Sequence, residues 1–217
     1  MQEHAHDHGH DHDASGHAPH APPQPDEKIH SYYQVLGLAL KELLIEKGIV
    51  TADEIRATIE FRDSITPAMG AKIVARAWTD PAYKQRLLAD GNEAIHEFGL
   101  EMSGTRLVVV DNTPAVHNVI VCTLCSCYPR SVLGLPPSWY KSREYRARTV
   151  REPRAVLAEF GTHLSDNVEV RVHDSTADMR YLVLPMRPAG THNMSEDELA
   201  GLVSRDCMIG VAVPPGA

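Results

Sequence analysis

Thr105-Arg106-Leu107-Val108-Val109-Val110-Asp111-Asn112-Thr113-Pro114-Ala115-Val116-His117-Asn118-Val119-Ile120-Val121-Cys122-Thr123-Leu124-Cys125-Ser126-Cys127 sets two apolar runs, a turn and three cysteines in succession. Thr105 to Asp111 has the composition of a strand, and Val116 to Cys122 of a second. Asn112-Thr113-Pro114 between them is a turn. Together they predict a hairpin that delivers Cys122 at a strand end.

On the N-terminal side the pattern is helical. Val35, Leu36, Leu38, Ala39, Leu40, Leu43, Leu44 and Ile45 give a broad apolar face, stopped at Gly48. Thr51-Ala52-Asp53-Glu54 reads as a capping box opening a second helix through Phe61. Pro67 and Gly70 flank the entry to a third. Asp80-Pro81 places an N-cap and an N1 proline in order for a fourth. Glu93 to Phe98 predicts a short helix ending at Gly99.

On the C-terminal side, short helices are expected around Ser142 to Arg148 and Pro153 to Phe160. Val168, Val170 and Val172 alternate with charged residues as a half-exposed strand, and Arg180 to Leu184 is another. Ser195-Glu196-Asp197-Glu198 is a second capping box, for a helix reaching Val203. Met208 to Val213 reads as a final strand. Helices first and a mixed sheet afterwards predict an α+β fold: an N-terminal helical arm, then a mixed αβ layered domain carrying the cysteine loop. The expected division is a tail over 1–27, a helical region over 28–99 and an α+β metal-binding catalytic domain over 100–217. In the tail, His4, His6, His8, His10, His12, His17 and His20 are interleaved with Asp7, Asp11 and Asp13. With almost nothing to bury it is expected to be disordered; its reading is a solvated tail or a capture site for divalent metal.

Composition excludes several classes. The chain has 217 residues, 43% hydrophobic and 23% charged, which suits a globular protein. No stretch approaches the ~20 apolar residues of a membrane helix, and the start lacks the pattern of a secretory signal. A net charge of −8 without a basic stripe argues against nucleic acid or an anionic membrane as main partner. Four cysteines are too few for a secreted disulfide scaffold. A cytoplasmic protein is expected.

Three of those cysteines form C-x2-C-x-C, so their sulfurs must converge on one centre. Cys-x-x-Cys alone has several readings, among them redox dithiol, half a zinc site and iron–sulfur. In Cys125-Ser126-Cys127 the intervening amides also approach the metal. If they lose their protons, two nitrogens and two sulfurs can share a plane, which suits Co(III) or Fe(III) better than tetrahedral zinc. Cys122 would then be axial, with the opposite position open to water or substrate. A zinc site completed by Cys207 or a histidine, and a redox dithiol, remain alternatives.

Val121-Cys122-Thr123-Leu124-Cys125-Ser126-Cys127-Tyr128-Pro129, with Leu133-Gly134-Leu135-Pro136-Pro137-Ser138-Trp139-Tyr140-Lys141, resembles the metal-binding alpha subunit of nitrile hydratases. So do Ala77-Trp78-Thr79-Asp80-Pro81, Tyr145-Arg146-Ala147-Arg148 and Arg187-Pro188-Ala189-Gly190-Thr191. The resemblance implies a hydro-lyase that turns a nitrile into an amide, one metal per chain, and a beta-type partner in a heterotetramer or larger assembly. It implies as ligands the sulfurs of Cys122, Cys125 and Cys127 and the amides of Ser126 and Cys127. Cys125 would be oxidised to sulfinate and Cys127 to sulfenate, both known oxidation states of cysteine. Thr123 is the residue type of cobalt rather than iron members, so low-spin, non-corrin Co(III), loaded by an activator protein, is expected. A Lewis acid lowers the barrier to attack on the poorly electrophilic nitrile carbon.

One departure concerns Arg130, which stands where nitrile hydratases usually carry Trp. An arginine there invites an anion. In this the chain is similar to the gamma subunit of thiocyanate hydrolase, a cobalt relative. His173 also replaces a common Trp. The expected catalytic set is thus Cys127, Ser126 and Arg130. The readings kept open are nitrile hydration, thiocyanate hydrolysis and a non-catalytic cobalt or zinc protein. Trp78 and Trp139 are expected as packing anchors, Cys207 as a buried thiol, and His96, His117 and His163 as packing or surface residues. Asp174, Arg146 and Arg148 are candidates for supporting or subunit-contact roles.

Overall fold

The computed structural model describes residues 31–216, so the expected His-rich tail lies outside the described residues. The chain forms two units, dividing after Ala52, and each is described by itself.

In the first unit, α1 (Tyr32–Glu46) starts at a capping box that the sequence reading did not anticipate. Ser31 Oγ accepts from the Gln34 amide, and the Gln34 side chain accepts from the Ser31 amide. None of its residues is buried, although Tyr33, Val35, Leu36, Leu40 and Leu43 are large and apolar.

The second unit begins with α2 (Ala52–Ser64), α3 (Pro67–Thr79), α4 (Pro81–Ala89) and α5 (Gly91–Ile95). The expected start of α4 is present: Asp80 Oδ1 accepts from the amides of Ala82 and Tyr83. Strands β1 (Arg106–Asp111) and β2 (Val116–Val121) follow, then α6 (Arg130–Leu133), α7 (Arg143–Arg151) and α8 (Pro153–Glu159). Strands β3 (Glu169–Asp174) and β4 (Met179–Leu184) precede α9 (Glu196–Ala200) and α10 (Arg205–Ile209). The Ser195 capping box of α9 is formed as expected. A helical N-terminal part thus precedes a part that mixes strands and helices, as the α+β reading expects.

Two expectations are corrected. β1 and β2 do not form a hairpin: β1 pairs with β4 and β2 with β3, both in parallel. Only the bridge between Thr113 and Val116 closes across the turn. Beyond it, side-chain amides take the place of a ladder. Asn112 Oδ1 accepts from the Asn118 amide at 2.8 Å, and Asn118 Nδ2 donates to the Asp111 carbonyl. β2 is buried along nearly its whole length, the pattern of a strand covered on both faces. The second correction is that Met208 to Val213 is not a strand. Ser204 caps α10 through the Cys207 amide, and Gly210 ends the helix at φ +90°. A short, wholly buried apolar run carries no periodicity that separates helix from strand.

The core sits between α3 and the strands, and Ile73, Val74, Val119, Ile120, Leu182 and Val183 are inaccessible. Gly70 lets α3 approach closely, since a Cβ there would lie 2.6 Å from Leu133 and 2.7 Å from Met208. Trp78 is half-buried and donates to the Pro185 carbonyl. Trp139 packs on Tyr145 and Phe160. Cys207 is a buried free thiol.

Gly210 is the tightest backbone contact behind β2. A Cβ there would meet the Asn118 carbonyl at 2.1 Å. The left-handed backbone adds strain for any L side chain. Gly210→Ala is expected to cost about 2 kcal/mol or more, seen as a lowered Tm in thermal unfolding.

His117 is buried, with Nε2 on the Gly210 carbonyl and Nδ1 near Asn112. Burial lowers its pKa below the ordinary value, against the smaller raising effect of the Gly210 carbonyl. The folded state therefore favours the neutral ring. That contribution is complete above the unfolded pKa of about 6.5 and is lost as pH falls below it. Tm should fall on acidification through this window, and the slope should be shallower in His117→Gln.

Candidate metal centre

β2 ends at Val121, and its pairing with β3 continues one step further: the Ser175 amide donates to the Val121 carbonyl. The chain then leaves the sheet, and Cys122 to Cys127 form an irregular loop. The three expected cysteines are brought together. Cys122 is buried, Cys127 half-buried and Cys125 exposed, and their sulfurs all lie within 4.8 Å of one another. Cys122 Sγ is 3.6 Å from Cys125 Sγ, and Cys125 Sγ is 3.2 Å from Cys127 Sγ. These are contacts between free thiols, far longer than the ~2.05 Å of a disulfide.

The residues fit one metal ion. Two sulfurs bound at about 2.3 Å lie about 3.3 Å apart when they subtend a right angle, and about 3.8 Å apart in a tetrahedron. The Cys125–Cys127 separation has the right-angle value, and the other falls between the two. The backbone amides of Ser126 and Cys127, in the link between two of the sulfurs, favour a thiolate at Cys125. The sulfurs also differ electrostatically. Hydrogen bonding with Cys127 Sγ, then the Ser126 amide, draws the Cys125 thiol down to about 7. Burial, then the neighbouring sulfurs, pushes Cys127 up to about 12, opposed by the charge of Arg180.

Both ends of the loop are tied down by protein groups. At its start, Asp174 accepts from the Thr123 amide at 2.9 Å and from the Thr123 hydroxyl at 2.6 Å. Arg146 Nη1 lies 3.4 Å from the Thr123 carbonyl. At its end, Tyr140 Oη donates to the Cys127 carbonyl at 2.9 Å. Tyr140 is buried and packs edge-on against Tyr128. Asp174 and Arg146 thus take supporting positions, while Arg148 does not. It pairs with Glu144, Glu152 and Glu159.

Ser126 is half-buried between two of the cysteines. Arg130 is exposed and opens α6, among residues lining a neighbouring cleft. His173 binds Asn118 Oδ1 through Nε2 and stacks on Tyr181. Tyr140 and Arg180 were missed. The Trp139-Tyr140 pair follows the cysteines closely, but nothing in its spacing tells which ring returns to the loop.

A protein-family model described as "Nitrile hydratase, alpha chain" matches residues 31–212. The chain belongs to the nitrile hydratase alpha-chain family. It is 54% identical, over 178 residues, to the alpha subunit of a low-molecular-weight cobalt-containing nitrile hydratase from Rhodococcus rhodochrous, covering 81% of this chain and 86% of that one. A cobalt-containing relative from Pseudonocardia thermophila is 51% identical over 86% of this chain and 93% of that one. The gamma subunit of thiocyanate hydrolase from Thiobacillus thioparus is 44% identical, over 89% and 85% respectively. A solved recombinant thiocyanate hydrolase with partially modified cobalt centres superposes with a TM-score of 0.78 at 44% identity, covering 87% of this chain and 92% of that one. An Fe-type nitrile hydratase mutant from Comamonas testosteroni Ni1 gives 0.76 at 44% identity, covering 85% and 92%. Family membership and three converging sulfurs together favour a metal site of this family over the zinc and dithiol readings.

Asp174→Asn keeps one acceptor oxygen and turns an amide group toward Thr123. The expected cost is about 1 kcal/mol, read by thermal unfolding, together with a lower metal-to-chain ratio by elemental analysis.

Proposed function

We propose that this chain is the metal-binding catalytic subunit of a cobalt nitrile hydratase, converting a nitrile to its amide. The carrying observation is the convergence of the Cys122, Cys125 and Cys127 sulfurs at the end of β2, in a chain about half identical to cobalt-containing alpha subunits. The ligands are those three sulfurs and the Ser126 and Cys127 amide nitrogens, holding low-spin Co(III). When bound, the ion supplies Lewis acidity toward the nitrile.

The chain's own groups do the rest. Asp174 and Tyr140 fix the loop ends, so the ligands need little rearrangement to bind. Buried Cys122 anchors the inner side, while exposed Leu124 and Cys125 leave the outer side reachable. Cys125, with its lowered thiol pKa, is the sulfinate, and Cys127 the sulfenate. Ser126 and the Cys127 sulfur border the substrate position. Arg180, whose charge already acts on Cys127, helps hold an anionic sulfur.

A beta-type subunit completes the site and covers the apolar face of α1. An activator protein loads the cobalt. No helix among the described residues is long and apolar enough to cross a membrane, and we place the complex in the cytoplasm. A second reading, thiocyanate hydrolysis, is favoured by Arg130 beside the loop.

Intact-peptide mass spectrometry on the co-expressed complex tests the reading. One cobalt per chain is expected, with about three extra oxygen atoms on the peptide from Cys122 to Cys127. Unmodified thiols holding zinc in an active preparation would contradict it. The same unmodified zinc site in a complex without activity would favour a non-catalytic metal-binding protein instead.

A further inference from the structure

Beside the cysteine loop lies a cleft of about 680 Å³. Tyr128, the residue after Cys127, is among the residues lining it, with three arginines: Arg62 from α2, Arg130 from α6 and Arg180 from β4. Among the described residues none of the three forms an ion pair with a carboxylate. Arg180 Nη1 donates to the carbonyls of Thr176, Ala177 and Met179, neutral acceptors that leave its charge uncompensated. That charge is felt at the Cys127 sulfur. The acids lining the cleft are Asp63 and Glu101, so cations outnumber anions there. Apolar walls such as Phe61 and Met102 can carry a carbon skeleton.

With its cyano group at the cysteine loop, the hydrocarbon remainder of an uncharged nitrile offers these guanidiniums no hydrogen-bond acceptor. Once a partner subunit excludes water from this face, an unpaired guanidinium is costly, and an anion in the cleft removes the cost. A carboxylate matches the fork of an arginine with two parallel hydrogen bonds. A cleft of this size also exceeds the needs of a short nitrile and falls in the range of sites for larger organic ligands.

We propose that the substrate is a nitrile whose far end bears a carboxylate, with its cyano group at the cysteine loop and its carboxylate on Arg130 and Arg62. The inference rests on the nitrile-hydrating reading. The reaction stays a simple hydration: water adds across the carbon–nitrogen triple bond to give the amide. The carboxylate is unchanged, and no electrons are exchanged with a third party.

The test uses the co-expressed, cobalt-loaded complex with a cyanopropanoate and its methyl ester. The acid should have the higher kcat/KM. In Arg130→Gln the acid-to-ester ratio should fall about tenfold or more, mainly through KM, as expected for loss of a hydrogen bond to a charged group. The preference should also weaken with added salt. Calorimetric binding of the amide-acid product should weaken by a similar factor. Exposed Arg62→Gln provides the same comparison if Arg130→Gln fails to assemble. A ratio at or below one, or a ratio unmoved in the assembled variants while the ester is still hydrated, overturns this inference and leaves nitrile hydration standing. If neither nitrile is hydrated and only thiocyanate is consumed, the nitrile reading falls and this inference with it.

Discussion

Three sulfurs held within 4.8 Å of one another are the constraint around which the rest of the structure is arranged. Unpaired thiols gain little from crowding together, so the protein must hold the loop that brings them there. It does so from two independent directions. Asp174, at the end of β3, fixes Thr123 on the strand side. Tyr140, buried among aromatic rings, fixes the Cys127 carbonyl on the helix side. Cys122, wholly buried, ties the loop to the core.

The parallel pairing explains how the fold makes such a loop possible. A hairpin would have turned β2 back along β1. Instead β2 takes β3 as its neighbour, and β3 ends beside the loop, so Asp174 and Ser175 reach it directly. This is a local use of a general arrangement: ligand sites gather where parallel strands end and the chain leaves the sheet. The Gly210 turn and the Asn112–Asn118 bonds support β2 from behind. The sheet can then act as a rigid platform for a reactive loop.

Much of this was legible in the sequence, and the remainder was not for definite reasons. Helix starts at Asp80-Pro81 and Ser195 were readable because caps are local chemistry. The cysteine cluster was readable because its spacing forces convergence. The partner of each strand was hidden, since β1 to β4 and β2 to β3 join residues far apart in sequence. α10 was misread because Met208 and Ile209 are buried on every side. Tyr140 and Arg180 escaped notice because their roles depend on where a ring or a charge returns in space. Arg130 was conspicuous in sequence, and the structure adds what the sequence lacked, namely Arg62 and Arg180 lining the same cleft.

The central claim is that Cys122, Cys125 and Cys127 grip one ion together with main-chain nitrogen. X-ray absorption at the cobalt edge of the purified complex measures this directly. The account predicts three sulfurs and, at shorter distance, directly bound light atoms around a single trivalent ion. A tetrahedral divalent ion with four sulfurs, or a cobalt shell containing no sulfur, would contradict it.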